Sequence, residues 1–176
     1  MGAPVIRRLG SLAGKRIVFG YDRYLLPDID AYRDALSAHG AALEAVDENH
    51  LHYLSSAEMV CKTVQADPED SFGLLCCGTG MGMSIAANKF RGIYAARCMT
   101  AEDAEMSRAI NNANVLCIAA KSGFALNRAI VDTFVRTVYS GRKLEQLETI
   151  AHFELEAHPS PSVPIAAALR DQRRTA

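Results

Sequence analysis

The stretch Cys76-Cys77-Gly78-Thr79-Gly80-Met81-Gly82-Met83-Ser84 constrains the fold of this chain more than any other. The apolar run Phe72-Gly73-Leu74-Leu75 leads into it, and Ile85-Ala86-Ala87-Asn88-Lys89 follows. The segment therefore reads as a strand, a glycine loop and the start of a helix. Glycines let the backbone approach a ligand closely and adopt positive φ. A helix N-terminus points N–H groups at whatever sits in the loop, and its dipole favours negative charge there. A thiol at the mouth of such a loop is placed to act as a nucleophile or base. Thr79 adds a hydroxyl at the same spot. One short segment thus offers a proton acceptor, a hydroxyl and an anion cradle made of the amides of Gly78, Gly80, Met81 and Gly82.

The same alternation runs along the chain. Arg16 to Gly20 reads as a buried strand, and Pro27 to His39 as a helix with Pro27 in its first turn and Gly40 just past its end. Ala41 to Val46 is a second strand and His52 to Gln65 a second helix. Phe72 to Cys77 is the third strand and Met83 to Phe90 the third helix. Tyr94 to Met99 is the fourth strand, and Thr100 caps a helix reaching Asn112, with Asp103 placed for a capping box. Val115 to Ala119 is the fifth strand, Phe124 to Val138 a helix, and Arg142 to Leu155 a further helix. Strands that are apolar throughout and alternate with helices argue a parallel sheet covered on both faces. The fold class is α/β, a three-layer Rossmann-like five-stranded parallel sheet. In such a sheet a ligand belongs at the C-terminal ends of the strands, near a topological switch point. Asp22, Cys77 and the residues after Val115 lie at such ends.

Length bounds the organisation. The 176 residues make one domain over 15–157, with an N-terminal extension over 1–14 and a C-terminal tail over 158–176. Nineteen Lys and Arg against 20 Asp and Glu argue against nucleic acid as a partner. No apolar run approaches the roughly 20 residues of a membrane span. Met1 to Gly14 lacks the apolar core of a signal peptide. The five cysteines sit mostly in apolar runs and read as free thiols in a reducing cytoplasm. None of them shares metal-ligand spacing with a histidine, so neither a metal nor a cofactor is expected.

Cys76 and Cys77 point to opposite sides of a strand, so only one can face the loop. The ordinary fate of a free cysteine is as a small core hydrophobe; the residue pattern leaves that reading open for Cys76 and Cys77 alike, and it is kept for Cys61, Cys98 and Cys117. The run from Cys77 through Phe90, followed by Gly92-Ile93-Tyr94-Ala95-Ala96, resembles the signature of the type B ribose-5-phosphate isomerases, a family that includes the galactose-6-phosphate isomerase subunits. Asn111-Asn112-Ala113-Asn114-Val115-Leu116 matches a second family block from its second residue onward. The resemblance runs from about Arg16 to Ile150. It implies an aldose–ketose isomerase acting on a sugar phosphate, with Cys77 as the base that moves a proton between adjacent carbons. Thr79 and the loop amides would hold the enediolate. Asp22 would orient a substrate hydroxyl and Asn111 would bind substrate. The family completes each site across two subunits, which implies a homodimer or homotetramer with shared active sites.

The chain also departs from the family. Arg23 stands where the family has a histidine, and Arg can grip phosphate but not shuttle protons near neutrality. Ile110 replaces the ring-opening histidine before Asn111. Arg142 matches the first of two phosphate-binding arginines, while Gln146 replaces the second and Lys143 replaces a histidine between them. Lys121 replaces a further basic position after the fifth strand. Phosphate would then be held by Arg23, Lys121, Arg142 and Lys143. Loss of the histidine suits a short, open-chain tetrose phosphate. Two alternatives remain: the Cys-bearing half of a hetero-oligomeric isomerase of the galactose-6-phosphate type, or a non-catalytic sugar-phosphate-binding protein.

Overall fold

Alternation within the strands sorts their side chains onto two faces, and two helical layers cover those faces. The protein is described here by a computed structural model over residues 10–40, 42–44 and 51–156. Five strands, β1 (Arg16–Tyr21), β2 (Ala42–Glu44), β3 (Ser71–Cys77), β4 (Ala95–Arg97) and β5 (Val115–Ala119), form one parallel sheet in the order β2-β1-β3-β5-β4. The helices are α1 (Ile29–Ser37), α2 (Tyr53–Ala66), α3 (Met81–Ala87), α4 (Ala101–Ala109), α5 (Phe124–Arg136) and α6 (Leu144–Glu156). Ile17, Phe19, Phe72, Leu74, Cys76, Leu116 and Ile118 share one core with Leu36 of α1 and Ile130 and Phe134 of α5. Val18, Leu75, Cys77, Val115 and Cys117 point the other way, onto Val60, Cys61 and Val64 of α2 and Met83 and Ala87 of α3. This is the three-layer α/β architecture that the alternating pattern predicts.

Several boundaries differ from the sequence reading, each for a local reason. The Asp22 carboxylate accepts the Tyr24 N–H at 3.0 Å and starts a 3-10 turn over Arg23–Asp28. Pro27 lies inside that turn, and α1 begins only at Ile29. Helix α3 starts at Met81, directly after Gly80, rather than at Met83. Strand β4 is shorter than Tyr94–Met99, and side chains take backbone N–H groups at both of its ends. Tyr94 N–H donates to Asn114 Oδ1, Ala95 N–H donates to Asn88 Oδ1, and Met99 N–H donates to Asp103 Oδ2. Helix α6 begins at Leu144, because Lys143 adopts a φ of 58°; Arg142 and Lys143 therefore sit in a turn and not on the helix. Gly10 pairs with Tyr139 through two backbone hydrogen bonds, and Leu12 is buried, so the chain from Gly10 packs on the domain instead of extending from it. The expected extension before Gly10, the end of the second strand at Val46, and the tail from His158 lie outside the described residues. Among the described residues, no helix is long and apolar enough to cross a membrane.

One packing constraint decides how low α2 lies. A Cβ on Gly20 would sit 2.6 Å from Val60 Cγ2, and one on Gly73 would sit 2.7 Å from Val60 Cγ1 and 2.9 Å from Val115 Cγ2. Neighbouring glycines on β1 and β3 thus form a trough that receives Val60. The low seat of α2 brings its first residue, Tyr53, to the strand ends. Gly73→Ala should therefore lower stability by about 1–3 kcal/mol through overpacking, although removing a strand glycine ordinarily helps. The urea midpoint at unchanged m-value measures it. A midpoint equal to the parent's would show that α2 can lift off the trough freely.

Candidate active site

Strands β1 and β3 are parallel neighbours in the register Tyr21↔Cys76. Their C-terminal ends therefore emerge side by side, with Asp22 after one and Cys77 ending the other. Asp22 N–H donates to Cys76 O at 3.1 Å, and the Asp22 carboxylate engages the backbone N–H groups of Tyr24 and Gly78. One carboxylate thus joins the two strand ends. Burial pushes its carboxyl above the usual carboxylate range, while those N–H groups and the nearby Arg23 charge pull it back.

A cavity of about 550 Å³ opens over these ends. Asp22, Cys77, Gly78, Thr79, Gly82 and Lys121 line it, as their sequence positions suggest. Cys76 faces the opposite core, as the period-two argument requires. Cys77 Sγ accepts the Gly80 N–H at 3.1 Å, and Thr79 Oγ1 accepts the Met81 N–H at 3.3 Å. Two amides expected in the anion cradle are therefore engaged by side chains of the loop itself. Gly80 is required here: its φ is +72°, and an added Cβ would stand 3.0 Å from Ile118 O. Lys121 sits in a 3-10 turn after β5, with its N–H on Gly78 O at 3.4 Å. It is the only cation among the described residues that line the cavity.

Other expected residues are not brought together in one chain. Asn111 lines a separate, smaller cavity of about 210 Å³ with Asn88, Tyr94 and Ile150. Arg142 and Lys143 are exposed in the turn before α6, and the exposed Arg23 does not line the larger cavity. The asparagines flanking Asn111 are structural. Asn112, at φ 48°, is fully buried and accepts Arg108 Nη1 at 2.7 Å. Asn114 clamps Gly92 O and Tyr94 N–H.

The sequence reading missed two cavity walls. The Tyr24 ring lies against Gly78, where an added Cβ would be 3.3 Å from its Cδ2. The Tyr53 ring lies against Gly82, where an added Cβ would be 2.7 Å from its Cε2. Tyr24 is 67% exposed although its neighbour Leu25 is fully buried. No sequence signal marked it, because its contact with Gly78 spans 54 positions of chain. Arg97 was also missed; its Nε–H donates to Thr79 O at 2.8 Å.

The sequence pattern of the ribose/galactose isomerase family matches residues 29–150. Over 105 residues the chain is 38% identical to ribose-5-phosphate isomerase B of Escherichia coli, covering 58% of this chain and 68% of that protein. Over 121 residues it is 33% identical to D-erythrulose-4-phosphate isomerase 2 of Mycolicibacterium smegmatis, covering 68% of this chain and 78% of that one. A segment 35% identical to a DNA damage-repair/toleration protein of Arabidopsis thaliana spans only 36% of that protein. The type B ribose 5-phosphate isomerase structure from Leishmania infantum superposes with a TM-score of 0.74 at 34% identity, covering 82% of this chain and 99% of that one.

All five cysteines are free and buried, yet only Cys77 lines the cavity. Burial pushes the Cys61 thiol up to about 12 and the Cys98 thiol up to about 11, and it raises Cys76 and Cys117 as well. Raised values keep these four as thiols at mildly alkaline pH, and the thiolate is the form that alkylates. Iodoacetamide should therefore modify Cys77 first in the native protein and the other four only after unfolding. Peptide mass mapping reads this out; labelling of Cys61 or Cys98 at a comparable rate would contradict the assignment.

Proposed function

Because this chain belongs to the ribose/galactose isomerase family, we propose that it is an aldose–ketose isomerase working through Cys77 on a four-carbon sugar phosphate. The observation that supports the chemistry best is Cys77 at the end of β3, lining a cavity together with Thr79, Asp22 and Lys121. The Cys77 thiolate takes a proton from C1 of the ketose, and the C–H electron pair becomes the C1–C2 double bond of an enediolate. The thiol then returns the proton to C2, while a hydroxyl proton passes from O1 to O2, giving the aldose. A positioned general base contributes about 10²–10⁴-fold. Thr79 and the loop lie where negative charge develops on oxygen, and a preorganised donor there contributes about 3 kcal/mol. Lys121 offers a positive charge to the phosphate.

The substrate length follows from position 110. The resemblance places a ring-opening histidine there, and this chain has Ile110, the half-buried C-cap residue of α4. A hydrocarbon side chain cannot carry a proton to or from a ring oxygen. A tetrose 4-phosphate has O4 esterified and cannot close a five- or six-membered ring through its own hydroxyls, so it needs no ring opening. The Tyr24 ring over Gly78 narrows the cavity that Cys77 lines. Two relatives named as D-erythrulose-4-phosphate isomerases, at 36% and 33% identity, agree with this chain length. Purified protein should give kcat/KM at least about tenfold higher for erythrose 4-phosphate than for ribose 5-phosphate, or about 1.4 kcal/mol in transition-state stabilisation. Ile110→His should narrow the gap. Equal or better turnover of the pentose phosphate by the parent would refute the tetrose assignment.

Asn111, Arg142 and Lys143 lie outside the larger cavity of their own chain, which favours a site completed by a second copy. Cys77→Ala and Arg142→Ala homomers should each lose most activity. Co-expressed together, they should regain about a quarter of the parent's sites, since half of randomly paired dimers carry one intact site. Failure to complement, with an active monomer by light scattering, would remove the shared site. Turnover that appears only when a different subunit type is added would favour the hetero-oligomeric alternative.

A further inference from the structure

Cys77 is held by its own loop, and that loop is gripped from the far side by one cation. The carbonyl and N–H of a planar trans peptide point in opposite directions. In the Thr79–Gly80 peptide, the N–H of Gly80 donates to Cys77 Sγ at 3.1 Å, and the carbonyl of Thr79 accepts Arg97 Nε–H at 2.8 Å. The peptide cannot rotate freely between these partners. Ile118 O and Arg97 Cγ stand 3.0 and 3.5 Å from where a Cβ on Gly80 would be. Arg97 is itself fixed, as the last residue of β4 paired with Cys117 of β5. It is not among the residues lining the cavity, so its effect on a reaction there must pass through another group.

We propose that Arg97 is a positioning residue for the Cys77 base, acting through the Thr79–Gly80 peptide. This rests on the reading of Cys77 as the base. Arg97 does two things at once. It turns the peptide so that the Gly80 N–H meets the sulfur, and it polarises that peptide. A hydrogen bond with an ionised partner is roughly twice as strong as a neutral one, and linked hydrogen bonds strengthen one another. The N–H donor is therefore best matched to sulfur in its anionic form, the form that accepts the carbon-bound proton. When that proton reaches sulfur, the negative charge passes to the enediolate oxygens. When it returns to carbon, the thiolate and its donor are restored, with no other group consumed.

The test compares Arg97→Leu, which has neither donor nor charge, with Arg97→Gln, which keeps a donor without the charge, and with Arg97→Lys. The first readout is the rate of iodoacetamide modification at Cys77 in the native protein, followed by peptide mapping at one fixed pH near neutrality. The Leu variant should react about tenfold more slowly, with Gln intermediate and Lys closest to the parent. The second readout is the split of kinetic constants on erythrulose 4-phosphate. kcat should fall in the same order while KM stays within about twofold, because uniform substrate binding is untouched. A role confined to fold stability would not order the Gln and Lys variants this way. Where the Leu variant does not fold, the Gln variant decides. Parent-like alkylation of Cys77 in both Leu and Gln variants would overturn the proposal. Alkylation needs no substrate, so that outcome is independent of turnover. Retained turnover in Cys77→Ala would instead remove the base reading.

Discussion

The parallel pairing of β1 with β3 is the contact on which the rest of this molecule depends. Parallel neighbours leave the sheet at the same edge, and the register Tyr21↔Cys76 sets Asp22 beside Cys77. The connection after β1 leads to β2 on one side, while β3 is followed by elements on the other. Such a divergence leaves a crevice that no connection crosses, the usual place for a ligand in an open α/β sheet. The Asp22 carboxylate then ties the two edges together through the N–H groups of Tyr24 and Gly78. The same pair of strands supplies the Gly20 and Gly73 trough that lets α2 bring Tyr53 down to the cavity.

The loop after β3 spends its polar groups on itself before any ligand arrives. Gly80 N–H is on Cys77 Sγ, Met81 N–H is on Thr79 Oγ1, and Thr79 O is on Arg97. Each bond immobilises a group that acts in the proposed reaction, so little reorganisation is left for the transition state to require. The loop is consequently a preorganised scaffold around the thiol more than an open nest of amides.

The two sequence blocks that suggested an isomerase contain both kinds of residue. Asn88 holds the edge of β4 by donating to Ala95 O and accepting from Ala95 N–H. Asn112 receives the buried Arg108, and Asn114 ties the approach to β4 to the start of β5. Asn88 and Asn114 thereby pair backbone groups around β4, and Asn112 pairs the buried Arg108 guanidinium, which would otherwise be costly to bury. In the second block, Asn111 is the asparagine left exposed. A family signature of this kind records a framework and a site together, and the amino-acid types alone do not separate them.

Alternation of apolar strands and helices, read directly from the sequence, determined the sheet, its layers and the strand ends at which Asp22 and Cys77 emerge. Period-two alternation determined that only one of Cys76 and Cys77 faces the loop, and the family resemblance pointed to Cys77. These features were legible because they are local, set by side-chain direction and by glycine's conformational freedom within a few residues. The tertiary structure alone decided what meets across the sheet. It placed Tyr24 and Tyr53 against Gly78 and Gly82, put Arg97 on Thr79 O across 18 positions of chain, and moved Arg142 and Lys143 off α6 into a turn. It also showed that Asn111 belongs to a different cavity of its own chain. Such contacts depend on how closely packed elements approach one another. That distance is set by van der Waals contact at residues such as Gly73 and Val60, and no pattern along the chain encodes it.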